Sequence, residues 1–451
     1  MKLVFDDIRL RPGMDDSAVA DELAKTYYIE KPATWRIVLK SLDARHKNRI
    51  VYRYRVVAEV PDDAAEALLK RKGVSMWREE PAAVSPKRCG AGRRVIVVGA
   101  GPAGLFCALR LSRAGVGVLL LERGFEVEKR MAHIGRLKAE GLLNPESNVL
   151  FGEGGAGAYS DGKLTTRTRR PEIAWVFATL TECGAPERIL YEQKPHLGTD
   201  GLAPVVRALR DTLLSLGADV RFNTRVDDLI ISGGAVRGVI TAAGDAHEAD
   251  AVVLAAGHSA RDTGEMLLRR GVFMEKKPFA MGVRVEHPAA LIDEIQYGPI
   301  AREKLLPAAD YRLVHNNGKT GRAVYSFCVC PGGGGHQFFF RGRGPVRQRH
   351  ELFEAGRRVY QRGAGGDGFA VRLPRGAPGG SGFSACAGGT GLRCRGRRFF
   401  GSRPAGHIVC AGRGRPVAAR GFVPPGGVSR RSGGGASRLD RRRDQGGPKK
   451  F

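Results

Sequence analysis

From Lys2 to Leu10 apolar and polar side chains alternate, the period of two that marks a strand with one buried face. Asp15–Tyr28 carries its apolar residues at helical spacing, behind Asp15 and Asp16, either of which can cap it. Trp35–Leu42 and Ile50–Val60 are rich in β-branched and aromatic residues and flank the polar connection DARHKN, which predicts a hairpin. Asp62–Lys72 reads as a second helix and Val74–Arg78 as a short last strand. This βαββαβ order predicts a small ferredoxin-like α+β domain over residues 1–90. The Pro-, Ser- and Gly-containing stretch Pro81–Gly92 reads as the linker that follows it.

Beyond the linker the alternation stops. Arg93–Val98, RRVIVV, ends in a continuous apolar run, as in a parallel strand buried on both faces. It runs into GAGPAG and the apolar helix LFCALRLSRAG, and a second buried strand, VGVLLLE, completes a βαβ unit. Further on, Gly201–Leu216 predicts a helix, Ala218–Phe222 a strand, Thr224–Ser232 with Ala235–Thr241 a hairpin, and Ala249–Ala256 a last apolar strand. The fold class expected is therefore α/β, with a Rossmann-type domain over residues 91–265. From Gly271 to Cys330 the pattern is β-rich and predicts the start of a substrate domain, residues 266–331.

The turn between the first two buried strands is where chemistry enters. Gly99, Gly101 and Gly104 form G-x-G-x-x-G, with Pro102 and Ala103 between them. The pattern means little alone, but here it follows a strand, opens a helix, and precedes Glu122 at the end of the next strand. In a dinucleotide site the first glycine allows the turn, the second lets backbone approach a pyrophosphate, and the third packs helix on sheet. The helix N-terminus offers free N–H groups and a positive dipole end, and the acidic residue can accept from ribose hydroxyls. The fingerprint does not separate FAD from NAD. Two later features do: the glycine-rich NVLFGEGGAGAYSDGKLTTR, Asn148–Arg167, whose N–H groups can line a second stretch of cofactor, and Gly257, placed just after a buried strand. Both resemble FAD-dependent oxidoreductases of the glutathione-reductase-like fold.

The pieces YSDGKLTTR, KPHLGTDGL, AAGHSARDT and YSFCVCPGG, with SLDAR in the small first domain, resemble one bacterial family of uncharacterised FAD-dependent dehydrogenases over residues 1 to about 333. The resemblance implies that Gly99, Gly101, Gly104, Glu122 and Arg123 hold the ADP half of FAD. It also implies that Gly155, Gly157, Ser160 and Asp161 lie near the flavin half, and that the backbone of Val226 meets adenine. It implies a small-molecule substrate without naming it, and leaves the catalytic residues unknown. NAD(P)H is a candidate electron donor, for which the chain carries no second fingerprint. A dehydrogenase that binds NAD(P) in the same turn is the rival reading.

Composition adds a second boundary. The net charge of +28 suggests nucleic acid until it is located: from Gly332 to Phe451 there are 25 basic and 5 acidic residues, and 31 of the 63 glycines. No strand or helix period persists there, so residues 332–451 are expected to be disordered. An Arg/Gly-rich tail of an RNA-binding protein is one reading. Frame-shifted translation fits better, since GC-rich coding sequence read out of frame yields Gly, Arg, Pro and Ala. Val346–Asp367, read one base later with permitted codons, can give FVNGMSFSRRDGVYTNAALVV, which resembles what the family carries after CPGG. A chain so shifted lacks the segment expected to close the FAD domain and is expected to be inactive. The positive charge then implies no specific nucleic-acid partner.

Other residues change the picture less. The eight cysteines are scattered, which fits a reducing compartment, and no His/Cys/Asp cluster has zinc spacing, so no metal is expected. Cys328 and Cys330 form C-x-C rather than a dithiol C-x-x-C and read as a tight loop more readily than a redox pair. His258 could donate a proton near a flavin but reads first as orienting backbone; His196 could contact cofactor or substrate; Cys107 lies on the apolar helix and reads as core. The first ten residues are too short and too acidic for a signal peptide, no run is long enough to span a membrane, and the cytoplasm is the expected compartment.

Overall fold

The computed structural model describes residues 1–78, 92–159, 162–166, 168, 170–276, 280–281 and 286–326, together with four short strands between 359 and 412. It divides into two compact units, Met1–Arg413 and Gly414–Phe451, the second of which lies outside the described residues.

The N-terminal segment forms β1 (Lys2–Leu10), α1 (Val19–Tyr27), β2 (Trp35–Asp43), β3 (Val51–Glu59), α2 (Asp62–Leu69) and β4 (Val74–Met76). The strands make one sheet in the order β2-β3-β1-β4. The inward positions of the alternating strands supply its core, with Leu3, Phe5, Ile8, Val56 and Tyr54 closed over by Leu23 and Leu68 of the helices. Of the two acidic candidates, Asp15 is the cap, accepting from the Ser17 N–H at 2.9 Å in a 3-10 turn before α1. Asp16 instead takes the Tyr54 hydroxyl at 2.7 Å and the Lys40 ammonium.

The second sheet is built from β5 (Arg94–Val98), β6 (Gly117–Leu121), β7 (Asp219–Arg221) and a later strand, all parallel. Between β5 and β6 runs α3 (Pro102–Arg113). After β6 come α4 (Val127–Glu140), α5 (Glu172–Glu182) and α6 (Gly198–Ser215). A three-stranded antiparallel piece follows: β8 (Val226–Ser232), β9 (Ala235–Thr241) and β10 (Ala246–Glu248). The chain then returns as β11 (Ala251–Leu254), pairing in parallel with β5, and passes into α7 (Arg261–Arg269). Continuous apolar strands are needed because both faces are covered. Val95, Val97, Leu120 and Val253 pack against α3 and α6, while Ile96, Leu119, Leu121 and Leu254 meet Val226, Val239 and Met266 on the other side.

The stretch beyond Gly271 is less uniformly β than its pattern suggests. Besides β12 (Met274–Lys276), β13 (Ala280–Met281), β14 (Glu286–Pro288), β15 (Val314–Asn317) and β16 (Arg322–Ser326) it contains a helix, α8 (Ala289–Tyr297). Pro288 sets the start of α8, and Ala289, Ile292 and Tyr297 bury one face of it against Ile50 and Ala309. The tail, expected to be wholly disordered, contributes β17 (Val359–Gln361), β18 (Phe369–Arg372), β19 (Thr390–Leu392) and β20 (Cys410–Gly412). These pair antiparallel with β14, with β13 and β16, with β12, and with the free edge of β11. An unpaired edge offers N–H and C=O groups to any backbone, so such pairing needs no selected side chains. The remainder of 327–451, and the linker stretch 79–91, lie outside the described residues.

Candidate dinucleotide site

β5 ends at Val98 and the chain turns through Gly99, Ala100 and Gly101 into α3, with Pro102 at its first position. Gly99 has φ +103°, and a Cβ there would lie 2.5 Å from the Ala255 carbonyl oxygen. A Cβ on Gly104 would fall on the carbonyl oxygen of Gly99. Packing alone therefore demands these two glycines. Gly101 is different. Its φ of −71° suits any residue, and a Cβ would find nothing nearer than the Gly155 Cα at 3.8 Å. The space beside Gly101 opens at the start of a 12-residue helix that has no side-chain cap and no acidic residue in its first turn. Uncapped N–H groups, the positive end of the helix dipole and a backbone without a side chain form a cradle for an anion.

Glu122 is buried at the end of β6. Its Oε2 accepts from the Ala100 N–H at 2.7 Å, and its Oε1 from Gly124 at 2.8 Å and Gly152 at 3.1 Å. A carboxylate has about four acceptor sites, so three backbone donors leave roughly one for a ribose hydroxyl. Arg123 grips Asp262 with both terminal nitrogens, at 3.0 and 2.8 Å, and Glu146 with Nε at 2.6 Å, and stacks on Phe151. Burial works against its charge, but the bonds to Asp262 and Glu146 outweigh it and hold the guanidinium above its usual range. Arg225 continues the chain of charges to Glu146 and Asp227. Between them Val226, buried at the start of β8, forms part of the wall of a cleft of about 220 Å³ whose other walls are Arg225, Asp227, Asp262, Glu265 and Arg269.

The glycine-rich segment lies across the turn. The Gly154 N–H donates to the Ala100 carbonyl at 2.8 Å, a Cβ on Gly155 would sit 3.0 Å from the Gly101 Cα, and one on Gly157 would sit 3.5 Å from Pro102. Its N–H groups, however, do not all face outward. Those of Gly152, Glu153, Gly154 and Gly155 go to Glu122, Phe125, Ala100 and Gly152 respectively. Two of these four donors, on Gly152 and Gly154, brace the turn through Glu122 and Ala100, and the other two are taken by Phe125 and Gly152, whereas the sequence suggested that they would line the cofactor. Ser160 and Asp161, with Cys328 and Cys330, lie outside the described residues.

Gly257 follows β11 with φ +78°, and nothing stands within 4 Å of the place its Cβ would take. His258 is exposed, its Nε2 3.4 Å from the Ser259 hydroxyl; His196 is exposed in a bridge with Lys163; Cys107 packs half-buried on the core. Among the described residues no His/Cys/Asp/Glu group could hold a metal, and no helix is long and apolar enough to cross a membrane.

No local pattern marks Arg130, Glu146, Glu153, Arg210, Arg225 or Asp262, because their partners lie far along the chain: Glu146 meets Arg225 across 79 residues and Asp262 meets Arg123 across 139. Glu153 is fully buried in the glycine-rich segment, its Oε2 accepting from the Val127 N–H at 2.8 Å and from Arg210 at 2.9 Å. Burial outweighs these partners and pushes its carboxyl up to about 7.

Residues 93–257 match the model of the FAD binding domain, and residues 278–334 match that of the FAD-dependent protein C-terminal domain-like family. An uncharacterised protein of Clostridium beijerinckii is 41% identical over 341 residues, which are 74% of this chain and 63% of the relative. A probable electron transfer flavoprotein–quinone oxidoreductase of Escherichia coli is 33% identical over 167 residues, 36% of each chain. The chain thus spans less than two thirds of the length of either relative. Residues 93–257 belong to the FAD-binding domain family, joined to a C-terminal domain of the FAD-dependent protein family that is matched as far as residue 334.

Proposed function

We propose that the chain derives from an FAD-dependent oxidoreductase acting on a small molecule, with the ADP half of FAD in the turn between β5 and α3. The observation that carries this is the space at Gly101. It is the one glycine of the fingerprint that no protein contact requires, and it stands before an uncapped helix N-terminus inside a matched FAD-binding segment. Gly99, Pro102, Ala103 and Gly104 shape the cradle, Glu122 offers its remaining acceptor site to the ribose, and Val226 forms part of the cleft for adenine. Arg123 acts there through its grip on Asp262 and Glu146 rather than as an unpaired cation. Gly155 and Gly157, stacked on Gly101 and Pro102, lead towards the flavin half, with Gly257 at the end of β11; Ser160 and Asp161 follow them in the sequence. FAD supplies hydride or electron transfer at its flavin ring, and the protein binds and orients it. NAD(P)H is the electron donor we favour.

The tail bears on activity. The match to the C-terminal domain stops at residue 334, within the four glycines where the composition changes. This supports a reading in which residues 332–451 are out-of-frame translation and the chain, as it stands, lacks catalytic competence. Sequencing the coding DNA around Pro331 tests it. A one-base change near Gly333 should restore a frame that stays open past the codon for Phe451 and encodes a glycine-rich strand and helix; closed alternative frames would contradict it.

A further inference from the structure

Arg130 lies on α4, has no exposed surface, and has no carboxylate within ion-pair distance among the described residues. Its Nε donates to the Asn148 carbonyl at 2.8 Å, and its Nη1 to the carbonyls of Gly152 at 3.3 Å and Glu153 at 2.5 Å. The guanidinium carbon stands 4.5 Å from the centre of the Tyr159 ring. Gly152 has no side chain because the arginine passes there: a Cβ would lie 2.5 Å from Arg130 Cδ. Burial lowers the Arg130 pKa, but only to about 10, so the group stays charged near neutral pH. Its Nη2 is buried with no partner among the described residues.

A buried cation costs several kcal/mol of lost hydration unless strong partners replace the water. Three neutral carbonyls and an aromatic face go part of the way. What they fix is specific. The Gly152 peptide is held by its N–H on Glu122, which also holds the Ala100 N–H, and by its C=O on Arg130. Two residues further on, the Gly154 N–H is bonded to the Ala100 carbonyl. Arg130 and Glu122 thus hold the two peptide groups on either side of the Gly152 Cα, three residues before Gly155, which lies against Gly101.

We propose that Arg130 is a positioning residue for the diphosphate of the dinucleotide: with Nε on the Asn148 carbonyl and Nη1 on those of Gly152 and Glu153, it fixes the glycine-rich segment beside the space at Gly101 and places a buried positive charge behind that segment. The inference rests on the dinucleotide reading of the site. A lysine keeps the charge but offers one nitrogen where the arginine places two, Nε on Asn148 and Nη1 on Gly152 and Glu153, so Arg130→Lys separates fork from charge.

The test uses the whole 451-residue chain. Affinities for ADP and for adenosine are measured by titration, with circular dichroism and a thermal melt on each variant. The wild-type chain should prefer ADP, and Arg130→Lys should cut the ADP-to-adenosine ratio roughly tenfold, as for one lost charge-assisted hydrogen bond. Tyr159→Leu leaves the carbonyl contacts in place, removes the ring under the guanidinium and should cut the ratio in the same direction; it serves if Arg130→Lys does not fold. A wild-type chain with no preference for ADP overturns the dinucleotide reading itself. A wild-type preference that either folded variant retains, with both ligands weakened alike or not at all, overturns the role of Arg130 and leaves the reading standing.

Discussion

A methyl group added at Gly99 would meet the Ala255 carbonyl oxygen at 2.5 Å on a backbone with φ +103°, whereas one added at Gly101 would meet nothing closer than 3.8 Å. Gly99→Ala should therefore lower stability by roughly 2–4 kcal/mol, through strain and overlap together. Gly101→Ala should leave the thermal melt nearly unchanged and weaken ADP and FAD binding at least about tenfold, because only the ligand needs that space. Melts and titrations on the two variants check both halves; equal loss of stability in both would mean that Gly101 is a packing glycine like its neighbour. Glu153 adds a pH signature. Its carboxyl is raised to about 7 from an ordinary 4.5, so between those values the folded chain holds a proton that the unfolded chain has lost. Stability should fall as pH rises through that window, by roughly 3 kcal/mol at most, and level off above it. Glu153→Gln should flatten the slope in denaturant melts from pH 4.5 to 8. An unaltered slope would assign it to other groups. Of these residues, the two glycines were legible from their spacing. Glu153 was not, since a Glu between glycines carries no sign of burial until the loop is folded onto Val127 and Arg210.

At the level of elements, the apolar runs of β5, β6 and β11 and the hairpin β8–β9 were readable because their burial leaves a continuous or alternating pattern. Helices α4 and α7 carry mainly charged residues and few buried apolar ones, and α8 lies in a short stretch of mixed pattern, so too few apolar positions were there to announce them. What matters most between elements is Glu122, read from the sequence as a ribose ligand and found to tie β6 to the β5–α3 turn and to the glycine-rich segment. Glu122→Ala would leave three N–H groups without their acceptor. It should cost about 3 kcal/mol or more in urea unfolding, in addition to any loss of FAD affinity. A variant as stable as the wild type that binds FAD weakly would restore the simpler ribose role.

Over the whole molecule, the family match and the basic tail divide the chain at the same place. If residues 332–451 were never selected to bury a core, trypsin should cleave there first at the many arginines, while residues 1–260 persist. Early cuts within β5, β6 or α3 would contradict it. Binding to RNA decides nothing, since any strongly basic chain attracts phosphate. Whether the β5–α3 turn holds the ADP half of FAD is read from flavin fluorescence during titration of FAD with the chain, followed by competition with ADP and with NADH. The expected result is saturable quenching by a 1:1 complex that ADP reverses and NADH reverses only weakly. A chain that leaves FAD free at every concentration while binding NADH would contradict it.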